Sequence, residues 1–234
     1  MKEDKEYKAA LKEFLASTRL ERRQDTLLNV LNNRTRYMTV VLENIYQSHN
    51  ASAVLRSCDC FGIQDVHIIE NSYTYEVNPQ IAVGSTQWLT LNRYNQEENN
   101  TKECLQHLKK QGYRIVSTSP CKESKSIYDF DIHAGKFALL FGTEREGLTD
   151  IALQMADESV HIPMFGFTES FNISVSVALC LFYYAKKLRD ENLPWQLLVD
   201  EKLDIELQWY RNTIKNSQFL EKKFEDEYDK AKEK

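Results

Sequence analysis

Residues 1–36 carry apolar side chains at helical spacing: Ala9, Leu11, Phe14 and Leu15, then Leu20, Leu27, Leu28 and Leu31. The texture changes at Tyr37. Short apolar runs follow at 39–42, 66–69, 114–117, 137–141 and 160–162, each the length of a strand. Helical patterns lie between them at 51–61, 102–111 and 151–156, and a last one spans 173–189. Gly62 and Gly112 stand where a left-handed residue ends a helix, and Lys109 and Lys110 put cations in a last turn. Strands alternating with helices predict an α/β fold: a mostly parallel sheet with helices on both faces. The 173–189 stretch is apolar nearly all round, which predicts burial in the domain or in a subunit interface. Beyond Pro194 the chain is helical, charged and aromatic-bearing (Trp209, Tyr210, Phe219, Phe224), and is expected to pack back on the domain. The chain thus divides into an N-terminal helical extension (1–36), a central domain (37–190) and a C-terminal helical extension (191–234).

Composition adds limits. A chain of 234 residues, 42% hydrophobic and 28% charged, buries a full core without disulfides. Cys58, Cys60, Cys104, Cys121 and Cys180 are odd in number and form no CxxC pair, so free thiols in a reducing compartment are expected and no metal site. The charged N-terminus has no apolar signal core, and the longest apolar stretch, 175–185, falls short of the ~20 residues a membrane span needs. A soluble, cytoplasmic protein is expected. Thirty basic against thirty-five acidic residues give −5, which by itself argues against a nucleic-acid partner. The local field differs from the sum. Between Ser17 and Arg36, five arginines (Arg19, Arg22, Arg23, Arg34, Arg36) face only Glu21 and Asp25. That segment is either a solvated helix face or a phosphate-binding patch.

In an open α/β sheet, ligands gather beyond the carboxyl ends of the strands. Three loops there are rich in polar and glycine residues: 118–120, 142–147 and 163–172. With only seven glycines and no GxGxxG or GxxxxGK[ST], the chain lacks a backbone cradle for phosphates. An adenosine with an amino-acid tail needs none. His67, His107, His133 and His161 form no constellation and are taken as structural.

The stretch 49–59 (HNASAVLRSCD), with Asn50 and Arg56 six residues on, resembles the first motif of the SpoU/TrmH family of RNA 2′-O-methyltransferases. LFGTEREGL at 140–148 resembles the second. IPMFGFTESFNISVSVA at 162–178 resembles the third, with Phe171 where leucine is usual before Asn172. The likeness runs from about Tyr37 to Arg189. It implies a homodimer whose C-terminal half forms a deep trefoil knot, the SPOUT fold, with S-adenosylmethionine as cofactor. It assigns cofactor binding to Thr118, Gly142, Ile162, Met164 and Phe171, and places Glu144 in or beside the pocket. Arg56 becomes the leading catalytic residue, with Asn50, Glu144, Ser170 and Asn172 as the polar groups around it; Asn172 also suits a helix cap. The family proposal makes the arginine a general base, yet arginine is effectively always protonated. A phosphate clamp that also stabilises developing alkoxide charge is the easier role. His49, two helical turns from Arg56, shares its face.

Only 36 residues precede the motif region, too few for the ribosomal-protein-type domain that ribosomal-RNA-modifying members often carry. The resemblance therefore implies tRNA, at guanosine 18 of the D-loop, with Arg19, Arg22, Arg23, Arg34, Arg36 and His49 as RNA contacts. The alternatives are 2′-O-methylation of large-subunit ribosomal RNA and, from a different class, an inactive RNA-binding protein of the same fold.

Overall fold

Apolar runs without alternation suit strands covered on both faces, and the runs predicted above form such strands. The computed structural model describes residues 4–76, 78–119 and 123–232, so Pro120 and Cys121 lie outside the described residues. In chain order the helices are α1 (Lys5–Ser17), α2 (Glu21–Asn32), α3 (Ser48–Cys60), α4 (Pro79–Ala82) and α5 (Asn100–Lys110), then α6 (Asp150–Met155), α7 (Ile173–Asp190), α8 (Val199–Thr213) and α9 (Ser217–Lys232). The strands are β1 (Met38–Glu43), β2 (Asp65–Ile69), β3 (Thr90–Tyr94), β4 (Arg114–Thr118), β5 (Lys125–Ser126), β6 (Phe137–Phe141) and β7 (Glu158–His161). All pair in parallel in one sheet of order β3-β2-β1-β6-β4-β7-β5.

The chain forms two compact units, Thr35–Trp195 and the two terminal segments Met1–Arg34 with Gln196–Lys234. In the first unit, alternate residues of a strand point to opposite faces of the sheet. Val40 and Leu42 of β1 join Leu139 and Phe141 of β6 under α3 and α7, where Val54, Leu55, Val177 and Leu181 are fully buried. Val41, Ala138 and Leu140 face the other way, against Leu105 and Leu108 of α5 and Ala152 of α6. Helices therefore cover both faces, as the alternation predicts. Gly62 and Gly112 take φ of 78° and 84°, the left-handed geometry that ends α3 and α5.

One buried histidine sits in this core. His67 on β2 is 3% exposed, stacks on Tyr94 and lies 3.0 Å from its hydroxyl. Burial pushes its imidazole down to about 3. A histidine held neutral in the fold but free to protonate at about 6.5 when unfolded contributes fully above that pH and is lost as pH falls toward the folded value. Urea denaturation between pH 6 and 4 should therefore show the wild type losing up to about 1.4 kcal/mol per pH unit more than His67→Asn. Parallel losses in the two proteins would refute this.

The second unit is helical. Tyr7, Leu11 and Leu15 form the buried face of α1, and Trp209 of α8 is wholly buried. Tyr7 meets Phe224 and Tyr228 edge-on at 5.5 and 5.2 Å, because residues four apart on α9 share one face. Of the tail's aromatic residues, Phe224 packs on Tyr7 and Phe14 of α1, and Phe219 is 70% exposed. The helical pattern of the N-terminal segment resolves into α1 and α2, with Leu20 between them at the start of α2 and 82% exposed.

Candidate active site

β4, β6 and β7 run in register, so their carboxyl ends release three loops on the same edge of the sheet. These loops enclose a cavity of about 390 Å³, a usual size for a small-molecule site. Thr118, Gly142, Ile162, Met164 and Phe171, the five residues singled out for a cofactor, all line it, as does Ser170. The Thr118 hydroxyl donates to the Leu140 carbonyl at 2.9 Å, which ties β4 to β6.

The 142–147 loop is closed on itself. Thr143 donates its backbone N–H to the Gly147 carbonyl at 3.0 Å, and Gly147 returns one to Thr143 at 3.1 Å. Gly147 has φ of 72°. A Cβ on Gly142 would stand 2.1 Å from the Gly147 carbonyl oxygen, so only glycine fits there.

The three sequence motifs meet in one hydrogen-bonded cluster around Glu144, which lines the cavity. Glu144 Oε1 accepts from Asn50 Nδ2 at 2.8 Å and from Asn172 Nδ2. Asn172 Nδ2 also donates to Asn50 Oδ1 at 3.1 Å. Asn172 Oδ1 meanwhile accepts from the backbone N–H of Ser174 at 2.9 Å and caps α7. One side chain therefore both caps α7 and joins the cluster. Gln47, which sequence reasoning passed over, extends the cluster by accepting from Asn50 at 2.5 Å. No motif position marks it, so only the fold reveals it.

Arg56 and His49 are exposed on α3, and Arg56 has no hydrogen bond or ion pair among the described residues. An exposed guanidinium with no partner among the described residues is available to an anion. His161, set aside as structural, lines the cavity instead, with Nδ1 2.8 Å from Ser124 Oγ.

The five N-terminal arginines part company. Arg34 is 1% exposed with its guanidinium over the Trp209 ring at 5.4 Å, and so offers nothing to a phosphate. Arg36 holds Asp65 through two hydrogen bonds of 2.8 and 3.3 Å. Arg19 donates to the Thr213 carbonyl. The expectation of an RNA contact is corrected for Arg34, whose guanidinium is buried; Arg19 and Arg36 stay partly exposed. Arg22 and Arg23 are exposed on α2.

With this geometry established, likeness to known proteins becomes informative. Residues 37–182 match the SpoU rRNA Methylase family. The chain is 43% identical over 192 residues to the tRNA (guanosine(18)-2′-O)-methyltransferase of Borreliella burgdorferi, covering 82% of this chain and 86% of that protein. The crystal structure of the A. aeolicus TrmH/SpoU tRNA modifying enzyme superposes with a TM-score of 0.74 at 27% identity, over 83% of this chain and 98% of that one. AviRb of Streptomyces viridochromogenes, a SpoU methyltransferase in complex with AdoMet, shares the fold at a TM-score of 0.57 and 19% identity, over 70% of this chain and 63% of that one. The protein belongs to the SpoU methylase family. It is accordingly an RNA 2′-O-methyltransferase that uses S-adenosylmethionine.

Proposed function

We propose that the protein methylates the ribose 2′-hydroxyl of guanosine 18 in the D-loop of tRNA. The observation that carries this reading is the Asn50–Glu144–Asn172 cluster, which joins all three motifs around Glu144, a residue that lines the cavity. The choice of nucleotide is supported by the relatives named above, whose activity is on that guanosine.

The cavity suits the cofactor. Ile162, Met164 and Phe171 give an apolar slot for a flat heteroaromatic ring, while Thr118 and the backbone around Gly142 form its polar edge without a phosphate cradle. S-adenosylmethionine, when bound, supplies an electrophilic methyl group on a sulfonium sulfur. The chain's own residues do the positioning on which such a transfer depends. The two asparagine amides hold the Glu144 carboxylate between the loops and leave its second oxygen for substrate. Arg56 stays cationic at every physiological pH. It clamps a phosphate beside the target ribose and stabilises the negative charge that grows on the 2′-oxygen. Arg22, Arg23 and His49 add contacts to the RNA backbone.

Further features follow from the family. The C-terminal half is a trefoil knot, a reading supported by β6 lying between β1 and β4 while β7 lies on the far side of β4. The protein is a homodimer. Val175, Leu179 and Phe182 of α7 are 43, 37 and 64% exposed along one stripe, an apolar face that a second copy covers. Cys58, Cys60, Cys104 and Cys180 form no disulfide among the described residues. No helix among the described residues is long and apolar enough to cross a membrane.

The test is transfer from labelled S-adenosylmethionine to unmodified tRNA transcript and to protein-free ribosomal RNA, mapped by ribose-sensitive primer extension. A 2′-O-methyl on the D-loop guanosine is expected. Label on ribosomal RNA alone would overturn the substrate.

A further inference from the structure

The chain turns sharply where it leaves β1. Asn44 adopts φ of 57°, a left-handed conformation rare outside glycine, and its N–H donates to the Ile69 carbonyl at 2.9 Å. Its side-chain oxygen accepts from the backbone N–H groups of Asn71 and Ser72 at 2.9 and 3.0 Å. This clamp fastens the loop after β1 to the loop after β2. As a result Tyr46 and Tyr73, one from each loop, stand side by side with ring centroids 5.0 Å apart and planes inclined at 43°.

Tyr46 and Tyr73 are each 44% exposed, so the pair does not complete the core. The two tyrosines also adjoin the active site. The Tyr46 hydroxyl accepts from Gln47 Nε2 at 3.3 Å, and Gln47 in turn accepts from Asn50. Tyr46, Gln47, Asn50 and Glu144 line one shallow cleft.

Two clamped aromatic rings, open to solvent and wired to a polar cluster, form a surface of defined chemistry. Loop RNA is recognised by splaying out bases and stacking them on aromatic side chains. We propose that Tyr46 and Tyr73 form a stacking platform for an unstacked nucleobase of the substrate RNA, beside the ribose presented to Asn50 and Glu144. This rests on the proposed reaction for its substrate class. A ring face accepts any base, so the platform contributes affinity and register rather than sequence choice.

The platform is tested with the full chain and two readouts. In methyl-transfer kinetics, Tyr46→Ala/Tyr73→Ala raises the KM for tRNA transcript by about tenfold or more. The kcat at saturation and the melting-temperature shift caused by S-adenosylhomocysteine stay as in the wild type. Tyr46→Phe/Tyr73→Phe restores the KM, since stacking needs the ring and not the hydroxyl. In the second readout, a D-arm stem-loop RNA carrying 2-aminopurine in its loop is quenched on binding the wild type and not on binding the alanine variant. An unchanged KM together with undiminished quenching in the alanine variant overturns the platform. Quenching by a wild type that methylates no tRNA would overturn the proposed reaction and leave the platform standing.

Discussion

Gly142→Ala should lose cofactor binding altogether. The added methyl would lie 2.1 Å from the Gly147 carbonyl oxygen, 2.2 Å from its carbon and 2.5 Å from the Leu148 nitrogen, all of them backbone atoms that no rotamer change can move aside. Relief requires the 142–147 loop to open, and opening breaks the paired hydrogen bonds between Thr143 and Gly147. Overpacking of this kind costs about 1–3 kcal/mol of stability. The functional cost is larger, because the same loop walls the cavity and carries Glu144. The check is thermal denaturation with and without S-adenosylhomocysteine. The wild type gains melting temperature from the ligand by mass action, and the variant should gain none. A variant that still responds to the ligand at similar concentration would show that the loop has room to spare.

Arg56→Ala should separate chemistry from cofactor binding. Its side chain is exposed and unpaired among the described residues, and alanine is a better helix former, so the fold and the S-adenosylhomocysteine response should be intact. Methyl transfer at saturating RNA should fall by about 10²–10³-fold, the loss typical when one charge-stabilising group is removed from a transition state. Arg56→Lys should recover part of that loss, because it keeps the cation but not the two-pronged grip on phosphate. Single-turnover rates on unmodified tRNA give the comparison. An alanine variant within a few-fold of wild type would remove Arg56 from the mechanism.

What could be read from the chain and what could not divides along physical lines. The strands at the sheet's centre announce themselves because both faces are covered: FALLF of β6 and MTVVLE of β1 have no exposed position. The edges do not. β3, at one border of the sheet, carries Asn92 and Arg93 and is only partly buried, and β5 at the other border has two residues. The cavity-lining residues Gly142, Ile162, Met164 and Phe171 and the cluster members Asn50, Glu144 and Asn172 stand in the three motifs, whereas Thr118 and Gln47 do not. The connections within the cluster were not legible, since Asn50 and Glu144 are 94 positions apart and Asn50 and Asn172 are 122 apart. The arginines show the converse problem. Arg34 and Arg22 look alike along the chain, and only the arrival of Trp209 from the far end buries one of them. Tyr46 and Tyr73 lie in no motif. Their pairing depends on a side-chain clamp from Asn44, whose positive φ no pattern predicts.

The helical unit is assembled from the two extremes of the chain. Lys8 reaches Asp204 across 196 positions, and Tyr7 rests on Phe224 and Tyr228. A ribosome delivers these parts in sequence, at about 5–20 residues each second, so α1 emerges many seconds before α8 and α9 exist. Through that interval the apolar face of Leu11 and Leu15 has no native partner, while the intervening sheet can close on segments already made. Assembly of this unit thus follows synthesis of the whole sheet. Nascent chains halted before the α8 codons should keep their N-terminal helices open to chaperones and proteases.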